Sequence, residues 1–164
     1  MQQLKIQAST ASVAFARLLR AHAALTRELN ARLSAAHGLT LNDYEVLVRL
    51  ARAEEHSMRR VDLADEVLLS PSGITRMLDR LQEAGLVENA SCADDARVKY
   101  AALTDKGMAK LREVSPAHLS DVDRLLRDGL GDDELATLAE LLERLPGEGK
   151  ESCEPPEEER STAE

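Results

Sequence analysis

Both ends of one helix are written into residues 70–85, and the period of the chain changes as soon as that helix closes. Ser70 carries a hydroxyl suited to accept from the first unpaired N–H groups of a helix. Pro71 has the fixed φ that suits the first helical position, and Gly85 stands where a left-handed residue closes the last turn. Between them Ile74, Met77, Leu78 and Leu81 recur at i, i+3, i+4 and i+7, a single apolar stripe. With that stripe turned inward, Ser72, Gly73, Thr75 and Arg76 point outward from the first two turns, and Arg80 lies further along.

The flanking segments supply the context. Residues 8–36 form one long helical pattern through Val13, Leu18, Leu25, Leu29 and Leu33, closed by Gly38. Asn42 is expected to cap a second helix near 43–53 that buries Val46, Leu47 and Leu50. A short third helix fits 60–68, with Val61, Ala64, Val67 and Leu68 on its inner side. Arg59 and Arg60 stand where a Ser or Thr cap would be expected. After Gly85, Leu86 and Val87 begin a strand. The small polar run 89–96 reads as a hairpin tip, and 98–103 as the return strand. Thr104 and Asp105 open a helix to about 128, which Pro116 is expected to kink or split. Asp132 begins a last helix through Leu145, and the acidic, Pro- and Gly-rich residues 146–164 read as a disordered tail.

Helix, tight turn, capped helix and hairpin in that order predict a mainly α fold with a small β-hairpin wing, a winged helix-turn-helix. The Leu and Ala stripes of the first and last helices cover too wide an arc for a monomer surface. They predict a dimer core, with an intramolecular core as the alternative. The expected organisation is an N-terminal dimerisation helix (1–41), a winged lobe (42–104), C-terminal dimerisation helices (105–145) and the tail (146–164).

Composition narrows the function. Aromatics are 2% of the chain and there is no Trp, so its apolar content, within 43% hydrophobic residues, is mostly that of packed helices. No run of 18 apolar residues predicts a membrane span, and the first ten residues lack the pattern of a signal peptide. Cys92 and Cys153 suggest no disulfide framework, so a soluble cytoplasmic protein is expected. His22, His37, His56 and His118 show no metal-ligand spacing. There is no Gly-rich phosphate loop and no nucleophile–base pairing in a recognisable context, so neither a metal, a cofactor nor an enzyme is predicted. The net charge of −9 opposes nucleic-acid binding. Residues 1–55, 56–104, 105–145 and 146–164 carry net charges of +2, −2, −4 and −5, so most of the acid follows the winged segment. Any DNA face must come from the arrangement of a few arginines.

In a winged helix-turn-helix the second helix lies in the major groove, with its N-terminal residues at base edges. Ser70, Ser72 and Thr75 are then placed to bond phosphates or bases, Arg76 to pair with guanine, Gly73 to permit close backbone approach, and Arg80 to reach a phosphate. Arg97 on the hairpin tip is placed for the adjacent minor groove, with Asp95 holding it by a charge-assisted hydrogen bond. The alternatives are a plainly solvated helix face and a surface ion pair of Arg97 with Asp94 or Asp95.

The text LADEVLLSPSGITRMLDRLQEAGLV (63–87), followed by Asp95, Arg97, Leu103, Thr104, Lys106 and Gly107, resembles the multiple-antibiotic-resistance regulator (MarR) family, over roughly residues 10–145. The resemblance implies a homodimer with interleaved N- and C-terminal helices that binds pseudo-palindromic double-stranded DNA, usually as a repressor. It also implies a small lipophilic or phenolic effector, released DNA being the outcome in many members. Phe15, Arg20 and His22 are candidates to border that effector's cavity. Two departures stand out. Glu88 and Asn89 replace the basic residue often found after Gly-Leu-Val, and Arg59 and Arg60 replace the usual cap of the third helix, where they would serve as phosphate anchors. Two rival readings remain: a winged-helix protein-interaction module without DNA binding, and a redox-responsive regulator acting through Cys92, within reach of Cys153 in the tail.

Overall fold

Capping chemistry sets where each helix of the fold begins. The computed structural model describes residues 9–67, 69–91 and 99–145. Helix α1 (Thr10–His37) starts at Ser9, whose hydroxyl accepts from the Ser12 N–H, and ends at Gly38, whose φ of 70° needs no Cβ accommodation. Helix α2 (Leu41–Arg52) starts two residues earlier than expected. Thr40 Oγ1 accepts from the Asp43 N–H at 3.1 Å and Asp43 Oδ2 accepts from the Thr40 N–H at 2.8 Å. This reciprocal box satisfies two end groups at once and outcompetes a cap at Asn42, which lies inside the first turn. The expected boundary between residues 41 and 42 therefore falls within α2.

A short 3-10 turn (Glu54–His56), with Glu55 and His56 both left-handed, leads into β1 (Ser57–Arg59). This strand was not expected, since three residues are too few to show an alternating pattern. Helix α3 (Arg60–Glu66) and helix α4 (Pro71–Glu83) form the helix-turn-helix. Leu63, Ala64 and Val67 face inward, whereas Val61, expected inside, is 57% exposed; Leu68 lies outside the described residues. Strands β2 (Val87–Ser91) and β3 (Lys99–Leu103) make the wing, and the sheet order is β1-β3-β2, all antiparallel. Asn89, Ala90 and Ser91, expected in the hairpin tip, pair instead with Ala101, Tyr100 and Lys99. Backbone pairing at a sheet edge asks for no apolar side chain, so this polar stretch of the sequence can extend the strand.

The apolar stripe of α4 (Ile74, Met77, Leu78, Leu81) packs with Val46, Leu47 and Leu50 of α2, Leu63 of α3 and Val87, Ala101 and Leu103 of the sheet. Burial of each large side chain contributes about 2 kcal/mol. Helix α5 (Asp105–Arg127) joins this core through Leu111 and Val114. It stays helical through Pro116, because Pro116 and Arg112, whose carbonyl loses its partner, both face solvent. Helix α6 (Asp132–Glu143) buries no residue. Arg127 clasps the corner between the two, bonding Asp123 on α5 and Asp132 on α6.

The wing, α4 and α5 meet at one dense contact. A Cβ on Gly107 would lie 2.1 Å from the Leu86 carbonyl oxygen and 2.6 Å from Leu103 Cδ1. Thr104 caps α5 by accepting from the Gly107 N–H, and donates its hydroxyl to the Gly85 carbonyl at 2.7 Å. Lys106 Nζ donates to the Ala84 carbonyl at 2.6 Å. The Leu103-Thr104-x-Lys106-Gly107 pattern is thus a clamp on the C-terminal end of α4. Gly107→Ala must displace backbone, and is expected to cost at least about 2 kcal/mol in a denaturant titration; an unchanged midpoint would refute this packing.

Helices α1, α2 and α5 meet at a second junction. The Tyr44 and His118 rings lie 4.3 Å apart, and Tyr44 Oη donates to Ser115 Oγ at 3.2 Å. Burial holds the His118 imidazole below its ordinary value, against the upward pull of Asp121. The unfolded chain therefore binds this proton more readily than the folded one. The contribution is complete above the ordinary pKa and is lost as pH falls toward the folded one. Between about pH 7.5 and about 5.5, wild type should lose more melting temperature than His118→Phe, whose ring carries no proton. Parallel profiles would show that His118 titrates as it does in the unfolded chain.

Candidate nucleic-acid interface

The exposed side of α4 is built from its cap outward. Ser70 Oγ accepts from the Gly73 N–H at 3.2 Å and lies 3.3 Å from Ser72 Oγ. Ser72, Thr75 and Arg76 are exposed, as the stripe required. Arg76 Nε donates to the Ser72 carbonyl at 3.4 Å, which lays its guanidinium along the first turns of the helix. Two hydroxyls and a guanidinium thus stand together at the positive end of the helix dipole, a donor-rich surface of the kind that binds phosphates and guanine edges. Gly73 differs from expectation. It is half-buried, and a Cβ there would lie 3.1 Å from Ser70 Oγ, so its small size also leaves room for the cap.

Among the described residues, Arg80, Arg60, Arg59 and Arg49 each have a side-chain partner. Arg80 pairs with Asp43 of α2. Arg60 donates to the Asn89 side chain, tying the start of α3 to β2, and Arg59 lies 3.8 Å from Asp62. Arg49 joins α2 to α3 through Glu66 at 3.2 Å. The two expected anchors therefore differ: Arg59 is half-exposed in a loose pair, whereas Arg60 is a strut between α3 and the wing. Asn89, which replaces a basic residue on the strand, is what fixes Arg60 there.

Two contributors escaped the sequence reading. The spacing Thr40-x-x-Asp43 is a capping-box signal and identifies Asp43 as a cap. Nothing local connects it to Arg80, 37 positions away. Nor does any local pattern pair Asn89 with Arg60.

Phe15, Arg20 and His22 are not brought together. Five residues advance a helix by about 140°, so Arg20 projects from the side of α1 opposite Phe15 and His22. All three are exposed, Phe15 at 62%, and His22 Nε2 lies 3.5 Å from Thr26 Oγ1. An apolar cleft at the α5–α6 corner, lined by Leu130, Thr137, Leu138 and Leu141 with Asp133 and Glu134, shares no residue with that trio. Asp95, Arg97, Cys92 and Asp94 lie outside the described residues, as do Cys153 and 146–164. Among the described residues no helix is long and apolar enough to cross a membrane, and no group of three or more His, Cys, Asp or Glu is placed to hold a metal.

A capped helix presented beside a two-stranded wing of a three-stranded sheet, with a second helix behind it, defines a winged helix-turn-helix protein. The chain belongs to the MarR family of transcriptional regulators. The MarR family model matches residues 39–99. AbsC, a MarR family transcriptional regulator from Streptomyces coelicolor, is 34% identical; the match covers 84% of this chain and 93% of that one, with a TM-score of 0.73. The regulator MhqR of Bacillus subtilis is 27% identical over 128 residues, 78% of this chain and 86% of the relative. Sco3205 from Streptomyces coelicolor, solved in complex with DNA, is 24% identical and shares the fold with a TM-score of 0.75, over 87% of this chain and 89% of that one.

Asp43 is 2% exposed, so removing its counter-charge leaves a buried carboxylate with one backbone donor. Arg80→Ala is expected to cost about 2 kcal/mol, below the usual figure for a buried pair because Arg80 is half-exposed. Adding Asp43→Asn should recover much of that loss, as read from a double-mutant cycle in urea. Additive losses would show that the pair is not coupled.

Proposed function

We propose that this chain is a homodimeric repressor that reads a pseudo-palindromic operator with α4 in the major groove. The observation that carries the reading is the Ser72, Thr75 and Arg76 surface at the capped end of α4. It is rigid because the helix is gripped at its C-terminal end by Thr104, Lys106 and Gly107. Base-reading side chains need that rigidity, since a bidentate contact to guanine tolerates little displacement.

Dimerisation is supported by what the single chain leaves bare. Val13, Phe15, Leu18 and Leu19 on α1, Leu141 and Leu142 on α6, and Leu145 just after it are all exposed. Such apolar surface on two helices fits burial against a second copy. Residues 1–41 and 105–145 then supply the dimer, 42–104 together with the Thr40 cap the reading lobe, and 146–164 an acidic extension. Arg97, in the segment joining β2 to β3, is assigned to the flanking minor groove, with Asp95 orienting it. The effector, a small lipophilic or phenolic compound, is placed between the dimer helices and the lobe. Phe15 and His22 share a side of α1 suited to border it, and Arg20 does not. The compartment is the cytoplasm, where the DNA is.

The test is selection of duplexes from a random-sequence library by wild-type protein, followed by anisotropy titration at fixed salt. The expected result is a selected motif with two-fold symmetry, bound by one dimer. Arg76→Ala should weaken it at least about tenfold, the worth of one bidentate base contact. A monomer by sedimentation, or binding to no duplex, would refute the reading and favour a protein-interaction module, which the acidic balance of 56–104 suits.

A further inference from the structure

We propose that Asp43 is a positioning residue for DNA recognition: from beneath α4 it grips the Arg80 guanidinium, so that Arg80 is presented to a backbone phosphate. The inference rests on the proposed DNA-reading role of α4.

A capping acid needs neither deep burial nor a second partner. An Asp at this position of α2 would complete its box with one oxygen and turn the other to water. Here the carboxylate is 2% exposed, and its two oxygens divide the work. Oδ2 accepts from the Thr40 N–H at 2.8 Å, and Oδ1 accepts from Arg80 Nη2. A neutral Asn would serve the cap equally well. Among the described residues, the full charge is matched by Arg80.

Arg80 is held in an unusual way for a helix-surface arginine. It pairs with α2 rather than with Glu83 one turn on, yet its side chain remains 56% exposed. A guanidinium has five N–H donors, so one grip leaves the rest of the fork available. Ser72, Arg76 and Arg80 fall at i, i+4 and i+8, one row along the outward side of α4. With the N-terminal end of that row at base edges, its far end emerges about 12 Å along the helix axis, at the phosphates of the groove wall.

The sign of the effect separates positioning from simple electrostatics. A carboxylate beside an arginine repels phosphate, so if Asp43 acted only by its charge, its loss would tighten binding. Positioning requires the opposite. Asp43→Asn keeps an acceptor for the Thr40 N–H and adds one unit of net positive charge. On the duplex selected by wild type, it is expected to raise Kd about tenfold. It should also flatten the slope of log K against log salt by about 0.9, one phosphate contact, despite the added charge. In an Arg80→Ala background, Asp43→Asn should change neither quantity further. Thr40→Ala, which damages the cap and leaves the pair, should lower the melting temperature without moving the slope.

Tighter binding by Asp43→Asn with a steeper slope would overturn the proposal. So would full affinity and an unchanged slope in Arg80→Ala, a result that stands whether or not Asp43→Asn folds. If wild type binds DNA and Arg76→Ala weakens it while Asp43→Asn does not, this inference alone falls. If wild type binds no duplex, the DNA-reading role falls and takes this inference with it.

Discussion

Everything α4 presents outward depends on how its C-terminal end is seated against the start of α5. Gly107 lets two backbones approach to a distance no side chain would permit, with Leu86 on one side and the first turn of α5 on the other. Thr104 and Lys106 then bond the last carbonyls of the α4 turn, at Gly85 and Ala84, groups that a helix end would otherwise leave unpaired. The contact also fixes the wing, since Thr104 follows β3 directly and its N–H bonds the Leu86 carbonyl. Helix, wing and long C-terminal helix are one mechanical unit. A rotation of α5 would therefore carry the exposed side of α4 with it.

Charge is handled by placement rather than by total. The chain is acidic by nine units, yet the arginines around α4 are arranged in two layers. Arg49 and Arg60 act as struts, joining α2 to α3 and α3 to β2. Arg76 stands on the exposed first turns, bonded among the described residues to a backbone carbonyl, while Arg80 belongs to both layers through its grip on Asp43. A small number of positioned guanidinium groups is a weaker long-range attractor than a basic patch. It suits discrimination between sequences more than general affinity for DNA.

The legible part of the structure was the part governed by local rules. Ser70, Pro71 and Gly85 bounded α4 because caps and left-handed residues act within one turn. The inward residues of α4 followed from period alone, and with them the outward Ser72, Thr75 and Arg76. Strand β1 was invisible because three residues carry no periodicity, and β2 ran further than its composition suggested because edge pairing with β3 does not ask for apolar side chains. Thr40 caps α2 in place of Asn42 because it acts reciprocally with Asp43, a pairing that no single side chain reveals. Val61 fell on the wrong side of α3, a helix too short for its phase to be certain from apolar residues. The Asp43–Arg80 and Arg60–Asn89 pairs are tertiary, and no spacing in a single sequence encodes them.

Methylation interference on the selected duplex reads the geometry at the reacting atoms, because methylation blocks guanine N7 in the major groove and adenine N3 in the minor groove. With two α4 helices related by a dimer axis, blocked guanine N7 positions should form two clusters centred about ten base pairs apart, one helical turn. A single cluster, or interference confined to adenine N3, would mean that α4 does not enter the major groove as a symmetric pair.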